Sequence, residues 1–139
     1  MAEQSKSAYE GAERRAVRPY IIVGNADEAI AFYRRVFAAT ELERYTTPTG
    51  GVGHAKLRIG ETIVEIGEHP DAKGRAAERL PRVGLRLYVA DVADVDDTYA
   101  RALAAGATGD VPSNRPQGTR AASVYDPFGI TWWLAAAIQ

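Results

Sequence analysis

The chain has 139 residues, 46% apolar and 25% charged, with 17 Lys and Arg against 18 Asp and Glu and no cysteine. A chain of this length buries about two-thirds of its surface in one core, so a single domain is expected, and a formal charge of −1 gives no general cationic field for nucleic acid or an anionic membrane. Without cysteine there is no thiol nucleophile, disulfide or thiolate-held metal, and imidazole chemistry is confined to His54 and His69.

In chain order, residues 1–16 (MAEQSKSAYEGAERRA) are polar and contain no apolar run of signal-peptide length, which reads as a solvated tail. No stretch approaches the ~20 apolar residues of a membrane span, and a cytoplasmic location is the default expectation. YIIV, from Tyr20, is a short apolar strand. Asn25 then opens a helix in which Ala29, Phe32, Tyr33, Val36 and Phe37 recur at three- and four-residue steps. Three β-type segments follow, ELERYTT, GHAKLRIG and ETIVEIG, separated by Thr-Pro-Thr-Gly-Gly and Ile-Gly-Glu-Thr turns. Residues 68–82 (EHPDAKGRAAERLPR) are charged, carry two prolines and read as a surface crossover without chemistry, leaving His69 solvated.

The second half repeats the first. RLYVADVADVDDTYARALAAG, from Arg86, aligns with YIIVGNADEAIAFYRRVFAAT, from Tyr20, 66 positions earlier. Val95, Thr98, Tyr99, Ala102 and Leu103 form its apolar helix face, and Gly106 stands where a helix-ending glycine belongs. ATGDV, TRAASVYD and ITWWLA supply three more strands, with Asp-Pro-Phe-Gly suiting a type I turn. The acidic positions Asp91, Asp94, Asp96 and Asp97 complement a helix N-terminus. Gly50, Gly51 and Gly53 precede a strand, so they form a hairpin and no phosphate cradle; no Ser sits in a nucleophile elbow.

These features predict an α+β chain, residues 17–139 forming one domain of two βαβββ modules, about 17–67 and 83–137. One module alone leaves a sheet face uncovered. Two together are expected to form a curved mixed sheet around a cleft suited to a small molecule.

The runs RPYIIVGNADEAIAFYRRVF, GHAKLRIGETIVEIGE, LRLYVADVADVDDTYARALAAGA and PQGTRAASVYDPFGITWWLA resemble the vicinal oxygen chelate superfamily, which includes glyoxalase I, bleomycin-resistance proteins and extradiol dioxygenases. Within it the PhnB-like branch is most similar. The resemblance spans about residues 17–137 and rests most specifically on His54–Gly60 and Gly118–Gly129. It implies the glyoxalase/bleomycin-resistance fold and a homodimer.

Metal-using members place His or Glu ligands on the first and last strands of each module. Here those positions fall at Arg18, Glu65, Gly84 (or Leu85) and Trp133. A guanidinium, a glycine and an indole do not coordinate a cation, so only Glu65 is retained. His54 is a second candidate donor, because strand alternation puts His54, Lys56 and Arg58 on one face. The resemblance therefore implies no metal or other cofactor, with a divalent metal on Glu65 and His54 as the alternative.

Taking the ligand positions as facing the cleft puts Arg18, Tyr20 and Ile22, Ile63 and Glu65, Arg86 and Tyr88, and Thr131 and Trp133 inside it. Arg120, at His54 plus 66, is expected in an equivalent place. The expected ligand-binding set is thus Arg18, Tyr20, His54, Glu65, Arg86, Tyr88, Arg120 and Trp133. It suits a planar or amphipathic organic molecule held by stacking, with an arginine for a carboxylate, phosphate or enolate oxygen. The functional expectation is metal-independent binding, sequestration or resistance. The alternative is a metal-dependent lyase, isomerase or dioxygenase using Glu65, with Glu65 and His54 as its candidate catalytic residues. Neither a nucleic-acid nor a membrane partner is expected.

Overall fold

The computed structural model describes residues 16–139, so the expected tail falls almost wholly outside the described residues. Two modules follow the predicted order. The first comprises β1 (Tyr20–Val23), α1 (Ala26–Phe37), β2 (Thr40–Thr46), β3 (Val52–Ile59) and β4 (Thr62–Glu68). The second comprises β5 (Leu85–Tyr88), α2 (Val92–Ala104), β6 (Thr108–Asn114), β7 (Thr119–Tyr125) and β8 (Thr131–Ala137). Each builds its own four-stranded sheet, in the orders β1-β4-β3-β2 and β5-β8-β7-β6. In both, the first strand runs parallel to the last and the remaining pairs are antiparallel.

The helices start where side chains can satisfy their orphan amides. Asn25 accepts from the Glu28 amide at 3.1 Å, and Glu68 Oε2, at the end of β4, accepts from the Ala26 amide at 2.9 Å. Asp91 does the same for α2, accepting from the Asp94 amide at 3.0 Å. On α1 the residues Ala26, Ala29, Ile30, Phe32, Tyr33, Val36 and Phe37 are all buried. They pack on Ile21, Val23, Ala55, Leu57 and Ile66 from the sheet beneath. Each large apolar side chain buried this way contributes about 1.5–3 kcal/mol.

The two modules share one core. Trp132 of β8 lies against Phe37 and Tyr33 of α1, with ring centroids 4.5 and 5.3 Å apart. Asp126, in the turn before β8, is buried and accepts four hydrogen bonds. The donors are Tyr33 Oη (2.7 Å), Trp132 Nε1 (2.8 Å) and the amides of Phe128 and Ile130 (both 2.9 Å). Burial raises the pKa of Asp126, opposed by these four donors, and holds the Tyr33 hydroxyl well above the ordinary tyrosine value, with the Asp126 charge adding to the effect. Arg101 of α2 reaches the Val36 carbonyl at 3.3 Å, tying the helices together.

β6 runs further than ATGDV predicts. It extends through Pro112 to Asn114, with a register shift between Asp110 and Ser113. An edge strand tolerates a proline at such an irregularity. The crossover forms a 3-10 turn at Pro70–Ala72, and His69, its side chain more than half exposed, accepts from the Asp71 amide.

Candidate functional site

Alternation along β3 decides what the first module presents outside the core. Ala55, Leu57 and Ile59 are buried beneath α1. His54, Lys56 and Arg58 therefore occupy the opposite face. In register with Lys56 stand Glu65 on β4 and Glu43 on β2, and Tyr20 on β1 is opposite Glu65. Directly opposed residues share a face, so one surface carries Tyr20, Glu43, His54, Lys56 and Glu65.

Glu65 is the hub of this group. Its Oε1 lies 2.7 Å from His54 Nε2, and its Oε2 lies 3.6 Å from the Arg18 guanidinium. The side chains are 22% exposed for Glu65, 28% for His54 and 11% for Arg18, so the cluster is only partly wetted. Tyr20 stands edge-on to the His54 ring at 5.7 Å. Lys56 is nearly inaccessible, at 7%, and that burial lowers its pKa, with the Glu65 charge opposing the shift.

The second module repeats the geometry with other chemistry. Trp133 occupies the place of Glu65, because Arg86 pairs with Trp133 as Tyr20 pairs with Glu65. Ser123, in register with Trp133, takes the place of Lys56. Gly84 lets the Trp133 ring lie close, since a Cβ there would come within 2.5 Å of it. Arg86 and Tyr88 are exposed on the same face, their neighbours Leu85 and Leu87 turning toward the core.

Arg120 is a correction to the expected set. It shares the parity of Ala122 and Val124, which are core residues, and it donates to Asp96 of α2 at 2.9–3.1 Å and to Asn114 at 3.0 Å. The side chain is turned to the helix side of β7, away from the face that carries Trp133. The offset of 66 between the helices has become 67 at this strand, as the matched pairs Lys56–Glu65 and Ser123–Trp133 show. A one-residue slip reverses the face of every side chain on a strand. The structural equivalent of His54 is thus Ala121.

None of the cavities described among residues 16–139 gathers all the expected cleft residues. The modules meet through α1, β8 and the Asp126 turn, while the Glu65 and Trp133 groups lie in separate sheets. A cavity of about 700 Å³ opens at the seam between β1 and β5. Its lining includes Arg18 and Tyr20, together with Gly84, Thr131, Arg75 and Phe128, and does not include His54, Glu65, Arg86, Tyr88, Arg120 or Trp133. The crossover supplies part of this wall, so it does more than connect.

A divalent cation normally requires three or more protein donors, or several oxygens. Among the described residues no three His, Asp or Glu side chains form such a group. At Glu65 the donors are one carboxylate and one imidazole, and a guanidinium occupies the second carboxylate oxygen. Among the described residues that set does not fit a resident metal. The residue that sequence reasoning passed over is Lys56. Alternation already placed it beside His54, but its burial and its position between two carboxylates depend on the register of β2, β3 and β4.

A chain of two βαβββ modules, each with a polar or aromatic patch on the outer face of its sheet, defines a recognisable class of proteins. The model of the Glyoxalase/Bleomycin resistance protein/Dioxygenase superfamily matches residues 15–134, and the chain belongs to that family. It is 36% identical over 130 residues to the uncharacterized protein Mb0911c of Mycobacterium bovis, covering 89% of this chain and 84% of the relative. Solved structures that share the fold include the genomically encoded fosfomycin resistance protein FosX of Listeria monocytogenes, complexed with Mn(II) and a sulfate ion. Its TM-score is 0.67 at 19% identity, covering 88% of this chain and 91% of that one. A PhnB protein from Bacillus cereus matches with TM-score 0.70 at 15% identity, covering 88% and 100%. No helix among the described residues is long and apolar enough to cross a membrane.

Proposed function

We propose that this protein binds a planar organic anion, without a resident metal, on the face of the first module around Glu65. The observation that carries the reading is the state of Glu65 itself: His54 engages one oxygen at 2.7 Å and Arg18 stands 3.6 Å from the other. A metal ligand needs an oxygen lone pair directed at the cation, and here a guanidinium competes for it. The surrounding face suits an aromatic anion. Tyr20, 57% exposed, offers a ring edge-on to His54. Among the described residues this face places Arg18, Lys56 and Arg58 beside Glu43 and Glu65, so cationic side chains are at hand for a ligand carboxylate.

The reading is tested by thermal denaturation after exhaustive dialysis against EDTA, with mandelate and related aromatic carboxylates as probes. A melting temperature that rises with probe concentration, is unchanged by EDTA and is reduced in Tyr20→Ala supports it. Tight binding of one Mn²⁺, Zn²⁺, Ni²⁺ or Fe²⁺ per chain, lost in Glu65→Gln, overturns it in favour of a metal-dependent lyase, isomerase or dioxygenase. The homodimer and the cytoplasmic location implied by the sequence belong to the same proposal. Light scattering and cell fractionation check them.

A further inference from the structure

The cavity at the seam between β1 and β5, of about 700 Å³, has the size of a small-molecule site. Its walls come from β1 and the residues before it, from the starts of β5 and β8, and from the crossover. The second module holds the crossover wall in place. Thr131 Oγ1 donates to the Glu78 carbonyl, and the Arg75 carbonyl lies so near Gly129 that a Cβ there would come within 2.9 Å of it. Gly129 has φ 95°, so this close approach calls for glycine on both counts. Single exposed apolar side chains are ordinary, whereas several gathered about one opening mark a binding surface. Val17, Tyr20, Ile22 and Val83 all line this cavity and are 100%, 57%, 44% and 85% exposed. Leu85 and Ile130 add partly buried apolar surface. The charged side chains in the lining are Arg18, Arg75 and Glu78, of which Arg75 and Glu78 are solvent-exposed.

We propose that the seam cavity is a second binding site, one that takes a medium-chain carboxylate with its tail against Val17, Ile22 and Val83 and its head at Arg75 and Arg18. The inference goes beyond the binding reading above. The cavity shares Arg18 and Tyr20 with the Glu65 group, but His54, Lys56 and Glu65 line no part of it. The mixture of side chains decides the ligand class. A purely apolar molecule would desolvate the two guanidiniums without pairing them, and a polyanion would be opposed by Glu78. One carboxylate on an apolar chain accepts charge-assisted hydrogen bonds from a guanidinium and takes exposed apolar surface out of water. A cavity of this size buries most of a drug-sized molecule, which sets the tail at medium length. Because the crossover wall is pinned at Gly129 and Thr131 before any ligand arrives, little ordering is left for binding to offset.

The test is isothermal titration with the straight-chain carboxylates from hexanoate to decanoate, below their micellar concentrations. Each methylene that leaves water tightens binding about three- to fourfold, so decanoate is expected to bind at least about tenfold tighter than hexanoate. Octanol, which keeps the chain and loses the charge, is expected to bind about tenfold weaker than octanoate. Val83→Asp, which sets a carboxylate at the opening, and Arg75→Gln are each expected to weaken decanoate about tenfold, with folds checked by circular dichroism and the response to mandelate unchanged. Arg115→Gln, at an exposed arginine outside the cavity, is expected to bind decanoate as the wild type does. Decanoate carrying a diazirine at its tail end is expected to label peptides of the crossover or the β7–β8 turn. No dependence on chain length, equal weakening in Arg115→Gln, or label on β3 and β4 overturns the proposal. So does a dimer that binds no decanoate and that Val83→Asp converts to monomer in light scattering, because a second copy then covers the opening. If mandelate raises the melting temperature while decanoate does not bind, the seam inference fails and the Glu65 reading stands. If decanoate meets these expectations and mandelate has no effect, the reverse holds.

Discussion

The two modules share a fold and register but differ in what they expose and in what holds them. On the outer face the first module carries Glu65, Lys56 and Tyr20 where the second carries Trp133, Ser123 and Arg86. On the inner side the difference is reversed. The second module's β7–β8 turn contains Asp126, buried under four hydrogen-bond donors, whereas the corresponding β3–β4 turn of the first is Ile-Gly-Glu-Thr, whose acid, Glu61, is exposed. Duplication preserved the backbone, and the titratable groups then diverged, into a Glu65, His54 and Arg18 cluster on the face of one half and the Asp126 joint between halves in the other.

The largest expected effect tests that joint. Asp126→Ala leaves the Tyr33 hydroxyl, the Trp132 indole and two backbone amides without their acceptor, and is expected to cost about 3–5 kcal/mol in urea denaturation. Tyr33→Phe removes one donor to a buried carboxylate and is expected to cost about 1–3 kcal/mol. Losses below about 1 kcal/mol in both would show that aromatic packing, not the acid, joins the modules.

Tyr33 also sets an alkaline limit. Its folded pKa lies well above the unfolded value of 10.0, so the contribution is complete below pH 10 and is lost as pH rises toward the folded value. The slope is about 1.4 kcal/mol per pH unit while only the unfolded chain ionises. Lys56 has the opposite sign: its lowered pKa makes its contribution complete above 10.5 and lost as pH falls through the folded value. Between pH 9 and 11 the stability gap between wild type and Tyr33→Phe is therefore expected to narrow, as urea midpoints at each pH would show. A constant gap would mean that the hydroxyl ionises freely in the fold.

A smaller contrast concerns the glycines beside the two patches. A Cβ on Gly84 meets the Trp133 ring at 2.5 Å and the Thr131 carbonyl at 3.2 Å, whereas one on Gly67 meets the end of the exposed Tyr20 side chain at 2.7 Å. A half-buried indole has little room to move, and an exposed phenol has a good deal. Gly84→Ala is expected to cost about 1–3 kcal/mol and Gly67→Ala less than about 1 kcal/mol. Equal losses would mean that Tyr20 is held as firmly as Trp133.

Much of this was legible in the sequence. The paired modules followed from the helix-to-helix match of Tyr20 with Arg86 and from the turn residues between strands, because periodicity and turn chemistry are local. The shared face of His54, Lys56 and Arg58 followed from alternation, while Glu65 was placed only by the family's ligand position and its approach to His54 depended on strand register. Arg120 was misplaced because its position was carried from one module to the other by counting, and a single extra residue between helix and strand reverses a face. The Asp126 network was also out of reach. Asp-Pro-Phe-Gly announces a turn, but its bonds to Tyr33 span 93 positions, and only the packed core brings those residues together.

The smallest expected effect lies at the helix ends, where the modules again differ. α2 is followed by Gly106 at φ 103°, while α1 closes on Ala38 at φ 54°. The left-handed conformation costs an L-residue about 1–2 kcal/mol, and glycine adopts it without a Cβ clash. Replacing alanine by glycine also loosens the unfolded chain, which offsets roughly 0.4–1 kcal/mol of the gain. Ala38→Gly is therefore expected to stabilise the protein by about 0.5–1 kcal/mol, read as a higher urea midpoint at unchanged slope. A lower midpoint would mean that the Ala38 methyl contributes packing that outweighs its backbone strain, making the end of α1 part of the joint between modules rather than a cap.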